Sequence, residues 1–294
     1  MTDAEPVCNL CGQRKADLLI EKDGYRILRC QTCELVFVGN PPGEAALLQH
    51  YSFEAGYHQE LAENARAVAL HTAEAASNLD SLRRFRSGGT LLDVGCSTGL
   101  FLAAARNAGW SVKGVEYSPD TAELARREHG LDVLTGTLEA DTLGGERFDV
   151  VTLWDVLEHV PDPKTVLANA RHRLGASSLL LIKTPNVDGW FPSLSLRLAR
   201  RLDFWRHPEP PGHLFQFSVK TLAGLLGATG YEIVAVRHGR IPIVYSFGPP
   251  RTWLRSLKWA LYCACFMPWA WLGSYFGAGD DMLVVARLRK DGVA

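Results

Sequence analysis

The chain has 294 residues, 47% of them hydrophobic and 21% charged, and a formal net charge of −1. That is an ordinary globular balance, long enough for one large α/β domain with a small appendage. With no global basic field, the charge balance argues against a nucleic-acid partner. The polar, acidic start Met-Thr-Asp-Ala-Glu-Pro carries no secretory signal. Seven cysteines without such a signal point to a reducing cytoplasm, where they serve as ligands or core fillers.

The chain divides into an arm over 1–42, a helical connecting segment over 43–89 and a main domain over 90–294. In the arm, Cys8-Asn9-Leu10-Cys11 and Cys30-Gln31-Thr32-Cys33 form two Cys-x-x-Cys knuckles, eighteen residues apart. That spacing is a zinc-ribbon spacing, and four thiolates satisfy tetrahedral Zn²⁺. With Cys8, Cys11, Cys30 and Cys33 all used as ligands, no position remains for a catalytic water, so the metal is expected to be structural. Ordinary core cysteines or a redox dithiol fit paired knuckles less well. Tyr25 to Arg29 alternates as a short strand before the second knuckle.

Asn40-Pro41-Pro42-Gly43 breaks the chain, and an Ala-rich helix is predicted from about Leu61 to Arg86. Between them lie Tyr51 and Tyr57, which are either substrate-side residues or aromatic packing against the helix.

The main domain opens with Leu91-Leu92-Asp93-Val94-Gly95-Cys96-Ser97-Thr98-Gly99. An apolar strand over Thr90–Val94 ends in a glycine turn, and a helix follows over Leu100–Asn107. A second strand, Val112–Val115, ends at Glu116. Backbone meets a ligand at such a turn, and a carboxylate one strand over accepts hydrogen bonds from two ribose hydroxyls. The spacing is Asp-x-Gly-x-x-x-Gly, which is neither the dinucleotide fingerprint nor a P-loop. It resembles the class I S-adenosylmethionine (SAM)-dependent methyltransferases.

The resemblance implies a Rossmann-like seven-stranded α/β sheet of order 3-2-1-4-5-7-6, with strand 7 antiparallel, a zinc-ribbon arm and helical insertions. It also assigns the cofactor site. Gly95, Ser97 and Gly99 bring backbone to the methionine part, and Asp93 either meets its amino group or organises the loop. Glu116 binds ribose and Tyr117 stacks on adenine. After a helix over Thr121–His129 and a strand over Leu131–Leu134, Thr137 and Leu138 lie at the adenine edge. Strand four, Phe148–Asp155, brings Trp154 and Asp155 towards the sulfonium or the methionine end of the cofactor. The following Val-Leu-Glu-His-Val-Pro-Asp-Pro resembles the corresponding block of quinone-biosynthesis methyltransferases. His159 in that block is either a general base or a supporting residue.

A helix over Thr165–Leu174 and a strand over Ser178–Thr184 lead to a cationic, aromatic insertion at about 187–212. Next comes His213-Leu214-Phe215-Gln216-Phe217-Ser218, in which Ser218 is expected to cap a helix over Val219–Thr229. His213 is the leading general-base residue, with loop ordering as its bland alternative. In sugar C-methyltransferases a Glu precedes this histidine; here the neighbour is Gly212. Strand six is predicted at Tyr231–Arg237 and the last strand at Asp280–Leu288. Between them lies an insertion at about 240–279, in which Trp259 to Gly279 is free of charge and interrupted by Pro268, Gly273 and Gly277. Three readings fit it: internal packing, an apolar acceptor pocket, or peripheral contact with a membrane.

The expected activity is therefore methyl transfer to a small molecule. The leading acceptor is a hydroxyl on a sugar, lipid-linked or secondary-metabolite substrate. Sugar C-methylation is one alternative, and a non-catalytic binding protein on the same fold is another. The expected location is cytoplasmic, with the membrane surface as a peripheral partner.

Overall fold

The computed structural model describes residues 6–50, 65–139, 141, 143–202, 210–253 and 256–290. Tyr51 and Tyr57 lie outside the described residues. In chain order, β1 (Ala16–Lys22), β2 (Tyr25–Cys30) and β3 (Val36–Val38) precede α1 (Glu44–His50) and α2 (Ala65–Arg83). The main domain continues with β4 (Thr90–Val94), α3 (Leu100–Asn107), β5 (Ser111–Glu116), α4 (Pro119–His129), β6 (Val133–Thr135), β7 (Phe148–Trp154) and α5 (Pro163–His172). It ends with β8 (Leu174–Pro185), α6 (Trp190–Leu202), β9 (Phe215–Gln216), α7 (Val219–Ala228), β10 (Tyr231–Gly239), α8 (Ile243–Phe247), α9 (Leu257–Gly273) and β11 (Asp281–Leu288).

Seven strands form one sheet in the order β10-β11-β8-β7-β4-β5-β6. Counted from β4 this is 3-2-1-4-5-7-6, and β11 pairs antiparallel with both β8 and β10. The fold that the resemblance implies is therefore the fold observed. β4 and β7 are buried because helices cover both faces of a parallel sheet: Leu91, Leu92, Val150, Val151 and Leu153 are all fully enclosed.

Helix starts follow local chemistry. Ser118 caps α4, with Pro119 in its first turn, so this helix begins two residues earlier than its apolar pattern predicts. Asp162 caps α5, and Ser218 and Thr221 cap α7 reciprocally, as the Phe-Ser block predicts. β8 starts at Leu174 rather than Ser178, because the first residues of this strand pair beside β7 before the apolar run begins.

The arm does not stand apart. β1, β2, β3 and β9 form a second, antiparallel sheet, with β9 supplied by the main domain. Val36 pairs with Gln216 and Phe37 with Phe215. Cys8, Leu28, Cys30 and Phe37 share one apolar core with Phe215, Leu222 and Tyr231.

Candidate functional site

The glycine turn after β4 has the backbone that a close-fitting ligand needs. Gly95 has φ 75° and Gly99 has φ 83°, both left-handed. A Cβ on Gly95 would sit 2.6 Å from Val156, and one on Gly99 2.5 Å from Leu131. Ser97 between them also has positive φ, 50°. Gly99 is the N-cap of α3 and no side chain caps that helix, so its first amides are open to a carboxylate.

Glu116 at the end of β5 is 6% exposed. One carboxylate oxygen accepts the Ser97 amide at 2.8 Å and the other the Ser118 amide at 2.9 Å. The carboxylate is thereby fixed beside the turn, each oxygen keeping a lone pair for a hydroxyl. Burial pushes its carboxyl up against the pull of the Ser118 and Ser97 amides. Asp93 lies beneath, 2% exposed, and accepts the Thr152 hydroxyl at 2.6 Å. Burial, with the nearby charge of Glu116, raises it to about 8. The bond ties the end of β4 to β7 beneath the turn.

The loop after β6 is set beside Glu116 by backbone. The Gly136 amide donates to the Glu116 carbonyl at 2.8 Å and brings the 136–139 loop alongside. Thr137 donates its hydroxyl to Glu139, while Leu138 turns into the core and leaves its carbonyl to Asn169. Tyr117 is half-buried beside Glu116.

At the end of β7, Trp154 meets Phe101 edge-on with centroids 5.1 Å apart. Asp155 takes a left-handed φ of 53° and is held there by Lys183, whose ammonium donates at 2.8 Å. Lys183 on β8 also bonds Glu74 from α2 and lies 4.0 Å from Asp281. One half-enclosed cation thus ties the connecting helix, the β7 end and the last strand together.

Sequence reasoning missed Glu158, which the structure adds to the two histidines. Donor atoms of Glu158, His159 and His213 all lie within 4.8 Å of one another, and the two rings meet edge-to-face at 4.6 Å. Glu158 is 1% exposed, and its carboxylate lies beside the Thr184 hydroxyl. Burial, then the charge of Asp155, raises its carboxyl well above the usual range. His159 donates Nδ1–H to the Gly212 carbonyl at 3.0 Å, and burial lowers its pKa. The Glu158 carbonyl accepts the amides of Leu214 at 2.8 Å and Phe215 at 3.1 Å. The 212–215 segment is thus strapped to the β7 end, which packs through Val156 on the Gly95 turn.

Residues 63–236 match a protein family described as a methyltransferase domain. The chain belongs to that family. Curated relatives include the mitochondrial ubiquinone biosynthesis O-methyltransferase of Candida albicans, 37% identical over 116 residues, 36% of this chain and 36% of that protein. The ubiquinone biosynthesis O-methyltransferase of Idiomarina loihiensis is 33% identical over 157 residues, 51% of this chain and 64% of that protein. The chain spans less than two thirds of these relatives. Among solved structures, the Burkholderia thailandensis 1,6-didemethyltoxoflavin-N1-methyltransferase aligns with TM-score 0.54 and 18% identity, over 94% of this chain and 100% of that one. Magnesium protoporphyrin IX methyltransferase from Synechocystis aligns with TM-score 0.55 and 14% identity, over 84% and 100%. These likenesses carry the fold. The cradle fits S-adenosylmethionine: open helix amides for a carboxylate, glycines for close approach and a buried strand-end carboxylate, Glu116, for ribose hydroxyls.

The methyltransferase arm fits its metal equally well. The sulfurs of Cys8 and Cys33 lie 3.4 Å apart and those of Cys11 and Cys30 3.5 Å, close to the ~3.8 Å edge of a Zn–S tetrahedron. Both knuckles share one backbone pattern. Gly12 donates to the Cys8 carbonyl at 2.8 Å and Glu34 to Cys30 at 3.0 Å, each donor with positive φ. Against the cost of burial, the amides of Cys33 and Thr32 lower the Cys30 thiol to about 7. The four thiols are not paired as disulfides, and the cluster suits structural zinc.

Proposed function

We propose that this enzyme O-methylates a hydroxyl on a sugar, lipid-linked or secondary-metabolite acceptor, with His213 as the general base. The observation that carries this reading is the strapping of the Gly212–His213 segment to the β7 end. It holds an imidazole at the carboxyl edge of the sheet, where open α/β sheets take ligands. The family's named O-methyltransferases support a hydroxyl acceptor.

The cofactor, when bound, supplies an electrophilic sulfonium methyl. This chain's residues then align an acceptor for in-line attack and take up its proton. Asp93, Gly95, Ser97, Gly99, Glu116, Tyr117, Thr137 and Leu138 would hold the cofactor, with Trp154 and Asp155 facing its sulfonium. His213 would accept the hydroxyl proton. His159 would hold that loop in place through Gly212. A cytoplasmic setting would keep the four arm thiols reduced for zinc.

Glu158 beside His213 favours one second reading, C-methylation. It supplies from another element the carboxylate that the residue before His213 lacks.

A methylation screen of candidate acceptors with labelled cofactor, followed by mass spectrometry of the products, tests both readings. A product carrying a new methyl ether supports the first, and a new carbon–methyl bond the second. No transfer to any small molecule, with cofactor binding intact, would leave neither.

A further inference from the structure

The two insertions leave the sheet at the same edge. α6 follows the carboxyl end of β8, and the segment carrying α8 and α9 follows the carboxyl end of β10. They pack on each other through Phe191, Phe247, Tyr262, Cys263, Phe266 and Ala270. This consumes one side of α9.

The other side is equally apolar and, among the described residues, remains exposed. Leu257 is 77% exposed and Leu261 61%, while Trp269 and Trp271 are also exposed. In the turn after the helix, Tyr275 and Phe276 are each 67% exposed. A helix that is hydrophobic all round belongs in an apolar medium on every side. Here the protein supplies that medium on one side only. A groove of about 510 Å³ opens along the same helix, lined by Ile243, Trp253, Cys263, Met267 and Trp271 among other apolar residues. Among the described residues, no helix is long and apolar enough to cross a membrane.

Charge identifies the missing neighbour. Residues 240–279 contain Arg240, Arg251, Arg255 and Lys258 and no Asp or Glu, while the 187–212 insertion carries Arg197, Arg200, Arg201 and Arg206 against Asp188, Asp203 and Glu209. The whole chain has 31 Lys and Arg against 32 Asp and Glu, so this segregation in 240–279 is not a reflection of composition. The exposed cations Arg240, Arg251 and Lys258, in a segment without Asp or Glu that also exposes Trp, Tyr and Leu, complement anionic headgroups above an acyl layer.

We infer that the exposed face of α9, with the turn at Tyr275 and Phe276, seats on an anionic lipid bilayer as an interfacial contact. The aromatic and leucine side chains enter the headgroup–acyl boundary. The groove beside Trp271 accommodates an acyl chain. Arg251 and Lys258, both exposed, face the lipid phosphates. The contact brings the carboxyl edge of the sheet to the membrane, whatever acceptor is methylated there.

The test uses the full zinc-loaded chain and vesicles of phosphatidylcholine alone or mixed with phosphatidylglycerol. Expected results are co-sedimentation with the anionic vesicles at low salt, a blue shift of tryptophan emission on binding, and weakening by added salt. Leu257→Glu with Leu261→Glu should abolish binding, and Arg251→Glu with Lys258→Glu should weaken it roughly tenfold or more. Both pairs should keep wild-type cofactor affinity by calorimetry, which certifies the fold independently of any methylation assay. Absence of the wild-type protein from both pellets at low salt would overturn the inference. So would equal binding by wild type and Leu257→Glu/Leu261→Glu. A dimer in sedimentation velocity that the same pair abolishes would assign the face to a second copy of the chain.

Discussion

Nδ1 of His159 donates to the carbonyl oxygen of Gly212 at 3.0 Å, one residue before His213. A carbonyl only accepts, so this bond fixes His159 with its proton on Nδ1. The residue that the sequence left as base or support is thereby anchored to the neighbour of the other histidine. His213→Ala should lower turnover by about 10²–10⁴-fold with cofactor affinity unchanged. His159→Ala should cost less, because the two amide bonds from Leu214 and Phe215 to Glu158 still hold the segment. Steady-state kinetics with calorimetry separates the two. A larger turnover defect in folded His159→Ala would exchange the roles.

Glu116 holds two backbone amides and would also hold the ribose. Glu116→Ala should therefore weaken cofactor binding about tenfold or more. Glu116→Gln keeps one acceptor oxygen but presents a donor to an amide that needs an acceptor, so it should bind almost as poorly. Calorimetric affinity for both variants within twofold of wild type would remove Glu116 from the ribose site.

The fold was readable because its signals are local. The glycine turn, the strand-end carboxylate and the spaced knuckles each lie within a few residues, and they carry the resemblance that implies the sheet order found. What escaped was contact across the chain. Glu158 stands in the quoted Leu-Glu-His block, yet only the folded strap from Gly212 to Phe215 reveals its proximity to His213. Lys183 interrupts the apolar run Leu180-Leu181-Ile182, a visible anomaly whose partners Glu74 and Asp281 are remote in sequence. The β9 pairing rests on two residues, too short for any periodicity to announce.

Lys183 is 15% exposed and faces Glu74, Asp155 and Asp281. Lys183→Met would leave these carboxylates without their cation and should cost about 2 kcal/mol. That is below the ~3–5 kcal/mol of a fully buried pair, because Asp155 is 38% exposed and water screens it. A hydrogen bond from His71, opposed by burial, and then Lys183 hold Glu74 down at about 2. A depressed carboxyl stabilises above its unfolded value and loses that contribution as pH falls towards 2. The penalty of Lys183→Met should therefore shrink in acid. Urea unfolding at pH 7 and pH 3 checks this, and an equal penalty at both would place the effect elsewhere.

Asp93 works in the opposite direction. Its carboxyl is raised to about 8 from 3.8 by burial, so the folded chain binds more protons than the unfolded one between those values. Stability of the free protein should fall as pH rises through this window. The cofactor's ammonium would bring positive charge to Asp93 and so favour its ionised form. Its stabilising shift in Tm should be larger at pH 8 than at pH 6, and Asp93→Asn should flatten the difference. Scanning calorimetry with and without cofactor measures it. Identical shifts at the two pH values in wild type would break the link between Asp93 and the bound charge.

Zinc should matter to turnover more than to cofactor binding. Cys8, Cys11, Cys30 and Cys33 would hold the arm's metal, and the arm's sheet continues through β3 into β9. The Val38 amide donates to the Leu214 carbonyl at 2.9 Å, the residue after His213. Losing the metal would loosen β2 and β3, and the base segment would lose the edge it pairs with. The cofactor cradle is built elsewhere, from β4, β5 and their turns. Cys8→Ser with Cys11→Ser should release the metal and reduce kcat by up to about 10²-fold, the cost of an ångström-scale misplacement. Cofactor affinity should stay within about threefold, far less than the tenfold of ~1.4 kcal/mol. Metal analysis, calorimetry and kinetics on the same preparation decide it. A metal-free variant with full turnover would mean that β9 is held by its own apolar contacts with Phe37 and Leu222. Equal loss of turnover and cofactor affinity would mean that the arm supports the whole domain and not the His213 segment in particular.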